Sequence, residues 1–417
     1  MPDDPRRFTA ENALLFAAAR IDDQAPALAA SGGLDWVYLR RAAARQGVAP
    51  LLHDWLRRHP DVAVDAAFAE RLHEQYWSGH FRNRLLLEEL RRVARAAAER
   101  GIEIMPLKGA HLAGRLYPAP ALRPLSDLDL LTRPRDVERM GALLQSMGYL
   151  EVDHAPSYVD DRWLDLDSRD YCWFAVRQGF DSLIEYRVAP LELAVGRLTD
   201  LDEAYTDALR RHAQDVWTRS SPSAEGTMRV QSPEDLLLHV ATHLAAKHVD
   251  FRLIWLHDIA RLVAATPGLD WEYVAAQAAE LRMAAPVAAA LDAARRYAAA
   301  PIADAHSAAV VETLGPPSRL SLGHRDLARL QRHVAALPLQ DLTVEGPGVW
   351  PIGAALSRVR GWRARLRVLW WVLLPGREYL AHRGTVGQGA LGRIAGSIRR
   401  LALRVRGRRE SRGDAIG

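Results

Sequence analysis

Two aspartates one residue apart, Asp127 and Asp129, are the strongest chemical signal in the sequence. They lie in an apolar stretch that reads as a strand, where alternate side chains point to the same face about 6–7 Å apart. Two carboxylates at that spacing can bind divalent cations. Hard oxygen ligands favour Mg²⁺ or Mn²⁺, and such an ion can also bind phosphates. A lone pair of this kind also occurs by chance, so its surroundings decide how much weight it carries.

A lysine and a glycine, Lys108 and Gly109, close the apolar run 102–107 and open a helix-like stretch. The first backbone N–H groups of such a stretch could cradle a phosphate. Only Lys108 and Lys247 are lysines among the 55 basic residues of the chain. Because a compact ammonium and a planar guanidinium are not interchangeable at a tight phosphate site, we predict that Lys108 binds phosphate.

These residues form one longer pattern: Leu-Lys-Gly, a short helix ending in Tyr, then Arg-x-x-Ser-Asp-x-Asp-Leu-Leu. The pattern resembles the sparsely characterised nucleotidyltransferase family protein group within the DNA polymerase β type of nucleotidyltransferases. The positions that match are Lys108, Gly109, Tyr117, Arg123, Ser126, Asp127 and Asp129. Trp255–Ile259 matches the group's helical signature further along, so the resemblance covers about residues 85–265.

The resemblance implies a third metal-binding carboxylate on a neighbouring strand, and Glu185 stands alone among hydrophobic neighbours there. The group more often shows Asp followed by His-Trp, so Glu-Tyr-Arg is a departure, as is Lys-Gly where most of the superfamily has Gly-Ser. The implied roles are metal binding and catalysis for Asp127, Asp129 and Glu185. Nucleotide binding is implied for Lys108, Gly109, Arg123 and Ser126.

The implied activity is nucleotidyl transfer by two metal ions, Mg²⁺ or Mn²⁺, with a nucleoside triphosphate, expected to be ATP, as donor. The acceptor is not identified: a small molecule or a peptide or protein side chain fits, as in a tailoring enzyme of biosynthesis. Two other hypotheses about the function remain open. One is a non-catalytic nucleotide-binding or scaffold protein that keeps the fold, and the other is a membrane-surface adaptor acting through the basic tail.

The implied fold is α+β, with a small mixed sheet and flanking helices inserted between helical regions. We predict a helical region at 1–98, the α/β core at 99–190, a helical region at 191–340 and a basic amphipathic tail at 341–417. Within the core, strands are expected at 102–107, 127–132, 171–177 and 182–188. Helices are expected at 110–116 and at 135–147, the latter ended by Gly148.

A helix is predicted to begin at Ser232-Pro233-Glu234-Asp235, with Ser as the N-cap and acids in the first turn. His239, His243 and Lys247 follow at four-residue spacing on one face. Val240 stands where a zinc-protease motif needs Glu, which excludes that class. These three residues are either packing residues or a stripe that contacts substrate or phosphate, and Asp258 is expected to be a packing or capping acid.

Composition indicates the class of protein and the cellular compartment to expect. Hydrophobic residues make up 49% and charged residues 25%, as in ordinary globular proteins. Cys172 is the single cysteine, and no Cys/His cluster has the spacing of zinc ligands. The first residues lack the apolar segment of a secretory signal, and no apolar run reaches about 18 residues. We therefore expect a cytoplasmic protein, with a peripheral position at the membrane left open.

Charge is unevenly distributed along the chain. Residues 358–412 carry a net charge of +13, so the remainder carries −9 within the total of +4. Two apolar stripes lie among these arginines: Val359, Trp362, Leu366, Leu369, Trp370 and Leu373, then Leu391, Ile394, Ile398, Leu401 and Val405. The tail is predicted to dock on the acidic body with a disordered end from about Gly407, to lie on an anionic membrane, or to bind nucleic acid or another acidic partner. It carries no specific nucleic-acid motif.

Overall fold

The computed structural model describes residues 9–24, 33–152, 171–177, 179–191, 203–248, 250–316, 321–343, 356 and 359–373. Of residues 370–373 only the backbone is described. The N-terminal helices are α1 (Thr9–Ala19), α2 (Trp36–Arg45), α3 (Ala49–Arg58) and α4 (Ala66–Glu99), and α5 (Lys108–Ala113) and α6 (Val137–Ser146) flank the sheet. The helices that follow are α7 (Glu203–Arg219), α8 (Pro233–Thr242), α9 (Leu253–Ala265), α10 (Trp271–Glu280), α11 (Ala284–Ala298), α12 (Asp304–Glu312), α13 (Leu322–Ala336) and α14 (Trp362–Leu373).

A mixed sheet lies at the centre of the fold. Its strands are β1 (Ile104–Pro106), β2 (Leu128–Thr132), β3 (Leu150–Val152), β4 (Tyr171–Arg177) and β5 (Phe180–Arg187). Among the described residues the order is β1-β2-β5-β4-β3, with β2 and β5 parallel and every other neighbouring pair antiparallel. The predicted α+β class with a small mixed sheet is confirmed.

Local sequence signals place most of these elements. β4 and β5 form a hairpin in which Arg177 pairs with Phe180, across a turn where Gly179 has φ +82°. α6 ends as predicted: Gly148 has φ +79°, and its N–H and that of Tyr149 donate to the carbonyls of Gln145 and Leu144. Only glycine adopts this conformation without steric cost.

The two faces of the sheet pack against different helices. Leu128, Leu130 and Ile184 point towards α4 and α6 and belong to the core that contains Leu90 and Met140. The opposite face carries Asp129, Leu131, Glu185 and Arg187, because side chains alternate along β2 and β5. Leu131 packs there with Met105, Leu107, Val216 and Trp217, which places the end of α7 beside the polar face.

A long helix, α4, connects the sheet to the rest of the molecule. Its 34 residues begin at the N-cap Asp65, which accepts a hydrogen bond from the Phe68 N–H. Phe68 and Leu72 join the large helical core, whereas Leu86 and Val93 join the core beneath the sheet. The large core also combines residues of α1–α3 with residues of α8–α13. The division into four regions stays a prediction.

Within 191–340, the residues that the structure describes are mostly helical. A short hairpin interrupts the helices, with β6 (Ser221–Pro222) antiparallel to β7 (Arg229–Val230). The intervening Ser-Ala-Glu-Gly-Thr favours a turn, and Gly226 adopts φ +69°. The predicted start of α8 is confirmed, because Ser232 Oγ accepts the Asp235 N–H at 3.2 Å.

The tail helix α14 differs from its predicted stripe. Gly361 has φ +85° and the helix begins at Trp362, so Val359 is not part of it. Val359, Ala364 and Val368 are buried with Tyr205 of α7, whereas Trp362, Leu366 and Leu369 are 67%, 54% and 36% exposed. The second predicted stripe, 391–405, and the end from Gly407 lie outside the described residues.

None of the helices in the described part of the chain is long and apolar enough to cross a membrane.

Candidate active site

Strand register brings two acidic residues side by side. Asp129 of β2 pairs with Glu185 of β5, and Leu131 pairs with Arg187. Neighbouring strands lie about 4.8 Å apart, so the two carboxylates share one face at close range. Burial of like charges is unfavourable unless cations accompany them.

Asp127 lies immediately before β2 and adds a third carboxylate. It is half-buried, and burial together with the charges of Asp129 and Glu185 raises the pKa of its carboxyl to about 6, against a smaller opposing effect from a hydrogen bond with Ser126 and the charge of Lys108. Asp127 therefore lies close enough to Asp129 and Glu185 to share one site with them. Ser126 is exposed, and its backbone carbonyl accepts a hydrogen bond from Arg82 at 3.2 Å.

Asp129 is paired with two cations and is only 7% exposed. Lys108 Nζ lies 3.3 Å from both of its carboxylate oxygens, and Arg187 Nη2 donates to Oδ1 at 2.9 Å. Burial alone would raise the pKa of Asp129, but Lys108 and Arg187 outweigh it and hold the pKa below its usual value. Asp129 therefore stays ionised where Asp127 is close to titrating.

Lys108 is held at the start of α5 in a rare backbone conformation. Its φ is +43°, and the preceding Leu107 N–H donates to the Asp129 carbonyl at 2.9 Å. Burial lowers the pKa of the Lys108 ammonium, against the opposing charge of Asp129. A strained, buried lysine against a strand carboxylate is typical of functional sites.

Gly109 follows, and its lack of a side chain has a structural reason. A Cβ there would lie 3.0 Å from Leu125 Cδ2 and 3.3 Å from Arg123 Nη1. The residue thus leaves room for the loop that leads into β2. The predicted phosphate contact of its backbone stays a prediction.

Arg123 lies in a buried network rather than facing the carboxylates directly. Its Nε lies 2.9 Å from both Asp258 oxygens and its Nη2 2.8 Å from Oδ2. Tyr117 Oη donates to Asp258 Oδ1 at 2.6 Å. Asp258 of α9 is fully buried, as expected of a packing acid, and it ties the two motif residues to the helical region. The donors that the sequence assigned to phosphate are occupied by this ion pair.

Two of the three predicted helix residues lie close enough to the site to share its electrostatics. Burial, together with the charge of Lys108, lowers the pKa values of His239 and His243 well below the usual value. Both imidazoles are therefore neutral at pH 7. His239 is 1% exposed, and neither of its ring nitrogens has a hydrogen-bond partner within the described structure.

The helix that carries these histidines changes its winding at the site. α8 ends at Thr242 and continues as a π-helical segment, His243–His248. The rings of His243 and His248 both lie about 5 Å from that of Trp255 on α9. Segments of this kind often occur at functional sites. Lys247 is partly exposed near the end of the segment, and its predicted contact with substrate stays a prediction.

Two residues of the site were missed in the sequence. Arg187 was read only as a departure from a family pattern. Asn83 of α4 is 1% exposed; its Nδ2 donates to the carbonyls of Pro120 and Arg123 at 2.5 and 2.7 Å, and its Oδ1 accepts the Leu125 N–H at 3.1 Å. Asn83 lies at helical spacing from the buried leucines of α4. A polar residue on that buried face was the sequence signal that could have revealed it.

The donor set suits a hard divalent cation, because it consists of carboxylate oxygens. Nowhere in the described ranges do three or more His, Cys, Asp or Glu side chains already converge in metal-binding geometry. In the structure Lys108 and Arg187 lie against the Asp129 oxygens that a metal would share.

Comparison with known proteins gives one family. The sequence model of a family described as "Uncharacterised nucleotidyltransferase" matches residues 32–299, which include every site residue described above. No curated protein and no solved structure matches the chain. The match spans more than half of the sequence, and the chain belongs to this uncharacterised nucleotidyltransferase family.

Proposed function

We propose that this protein is a divalent-metal-dependent enzyme that transfers a nucleoside monophosphate, AMP from ATP, to a small-molecule or peptide acceptor. Family membership supports nucleotidyl transfer in general. One observation supports the finer proposal most strongly. Asp129 and Glu185 pair at the junction of β2 and β5, Asp127 lies immediately before β2, and the buried Lys108 contacts Asp129.

The three carboxylates would hold Mg²⁺ or Mn²⁺. The bound cation supplies positive charge to the triphosphate and helps the pyrophosphate leave. Asp127 is suited to binding it, because the carboxylates of Asp129 and Glu185 lie close enough to add to the effect of burial and raise the pKa of its carboxyl. The family resemblance implies two such ions.

Lys108 would bind the departing phosphates as a compact charged donor. Gly109 follows it at the start of α5 and would add backbone N–H groups. Ser126, exposed beside Asp127, would add a hydroxyl. For Arg123 we propose a positioning role, because its donors already bind Asp258. It would fix the loop that carries Ser126 and Asp127.

The acceptor would approach from the side of Glu185 and the α8 helix. Glu185 would take the proton of the attacking hydroxyl or amine. His239 and His243 would offer neutral ring nitrogens as hydrogen-bond donors or acceptors, since their pKa values are well below 7. Both ring nitrogens of the buried His239 are without a hydrogen-bond partner within the described structure. A buried imidazole of this kind favours a polar ligand group beside it. These contacts define a polar acceptor without identifying it.

Calorimetric titration with a non-hydrolysable ATP analogue tests the proposal. Binding should require Mg²⁺ or Mn²⁺ and should be lost in Asp127→Asn. Asp181→Asn is the matched control, because this carboxylate lies on β5 but is exposed, and it should bind as the wild type does. Metal-independent binding retained in Asp127→Asn would instead favour a non-catalytic nucleotide-binding protein, and no binding would refute the proposal.

One observation favours a second role for the tail. Trp362, Leu366 and Leu369 are exposed on one side of α14, among exposed arginines that include Arg363 and Arg367. Basic amphipathic helices with tryptophan bind anionic membrane surfaces. We propose such binding, and test it by sedimentation with anionic and neutral liposomes. Trp362→Ser should reduce binding to anionic liposomes severalfold, and equal sedimentation with both kinds would refute the idea.

A further inference from the structure

Arg187 places a permanent positive charge between two site carboxylates. Its Nη2 lies 2.9 Å from Asp129 Oδ1 and 3.6 Å from Glu185 Oε2. The residue is 2% exposed. Register explains the geometry, because Arg187 follows Glu185 by two residues on β5, and both side chains point to the face that carries Asp129.

A site with two metal ions needs a cation shared by Asp129 and Glu185, in addition to one shared by Asp127 and Asp129. The guanidinium nitrogen of Arg187 bridges Asp129 and Glu185 in the structure. A guanidinium stays protonated at all physiological pH values. A second divalent ion would therefore have to displace this buried charge from both carboxylates, which is strongly unfavourable.

The ion pairs around the carboxylates agree with this interpretation. Asp129 has two cations beside it, Lys108 and Arg187. Arg187 also reaches Glu185. Positive charge is therefore already supplied on the Glu185 side of Asp129.

We propose that Arg187 takes the place of the second divalent ion, so that the site binds one Mg²⁺ or Mn²⁺ per chain together with the nucleotide. This inference rests on the proposed function. Arg187 would neutralise Glu185 and Asp129 on the acceptor side and present N–H donors there. The divalent ion would be held by Asp127 and Asp129.

The test is to count bound Mn²⁺. Free Mn²⁺ is measured by electron paramagnetic resonance at saturating non-hydrolysable ATP analogue, with nucleotide alone as background. The wild type should bind one ion per chain, and two ions would overturn the inference while leaving the proposed function intact. If neither Mn²⁺ nor nucleotide binds, the proposed function fails and this inference fails with it.

Variants then test whether Arg187 is the cause. Arg187→Gln should bind a second Mn²⁺ and gain more thermal stability from Mn²⁺ than the wild type, whereas Arg187→Lys should still bind one. Arg133→Gln is the control, because Arg133 pairs with Glu103 beside the sheet, outside the site, and it should also bind one. One ion in a folded Arg187→Gln would overturn the proposal. If that variant does not fold, the wild-type count decides.

Discussion

Asp129 and Glu185 stand opposite each other on adjacent parallel strands. Asp129 carries two cationic partners, whereas burial and the neighbouring carboxylates raise the pKa of Asp127, two residues earlier. The two aspartates of one motif therefore differ in electrostatic environment. Both are expected to be essential for turnover, but their effects on folding should have opposite signs.

Asp127→Asn should abolish turnover yet stabilise the fold by roughly 1–3 kcal/mol at pH 7, because it removes a carboxylate whose pKa is raised in the folded state. Asp129→Asn should also abolish turnover, but it removes a carboxylate that pairs with two buried cations, Lys108 and Arg187, and should cost on the order of 3–5 kcal/mol. Urea unfolding and rate measurements check both effects. Either variant that keeps more than about a tenth of the wild-type rate, against an expected loss of at least about 10², would disprove the assigned role.

Lys108→Arg tests whether the ammonium itself is needed. The site is buried and Lys108 Nζ already contacts Asp129, so a bulky guanidinium should weaken nucleotide binding about tenfold, or ~1.4 kcal/mol. Lys108→Met, which keeps the length and removes the charge, should weaken it further. Calorimetry measures both affinities. Unchanged affinity in Lys108→Arg would mean that any cation serves at this position.

Asn83→Ala should lower turnover although Asn83 touches no substrate in the proposal. The variant removes the side chain that holds the loop 120–125 through three hydrogen bonds, at a cost of roughly 2–4 kcal/mol. Asn12→Ala is the matched control, because Asn12 is equally buried and its Nδ2 donates to the carbonyls of Pro338 and Gln340. Both should lose stability, but only Asn83→Ala should lower kcat/KM of the folded protein. Full activity in Asn83→Ala would separate the loop from catalysis.

Sequence patterns predicted the local elements well. Apolar strands, the glycine after α6 and the serine cap of α8 were all found where local chemistry requires them. The contacts that decide the site are of another kind. Arg123 meets Asp258 135 positions away, and Arg187 reaches Asp129 only because β2 and β5 pair in parallel at one register. Neither the partner of a long-range ion pair nor a strand register follows from local periodicity.

His111 should make stability depend on pH. Burial lowers the pKa of its imidazole to about 4, below its usual value of about 6.5 in unfolded chains. Between these values the unfolded state binds the proton and the folded state does not, so stability falls as pH is lowered. From pH 7.5 to pH 5 this residue should contribute about 2 kcal/mol of loss. Urea unfolding of the wild type and His111→Gln at both pH values measures the difference, and equal losses would exclude the effect.

Nucleotidyl transfer at the site of Asp127, Asp129 and Glu185 can be tested directly by following the fate of the ATP phosphates. The protein is incubated with cell extract, Mg²⁺ and ATP labelled at either the α- or the γ-phosphorus. We predict that the α-label appears on an acceptor, that the γ-label leaves as pyrophosphate, and that Asp127→Asn abolishes both. Transfer of γ-label to the acceptor, or transfer of α-label that persists in Asp127→Asn, would contradict it.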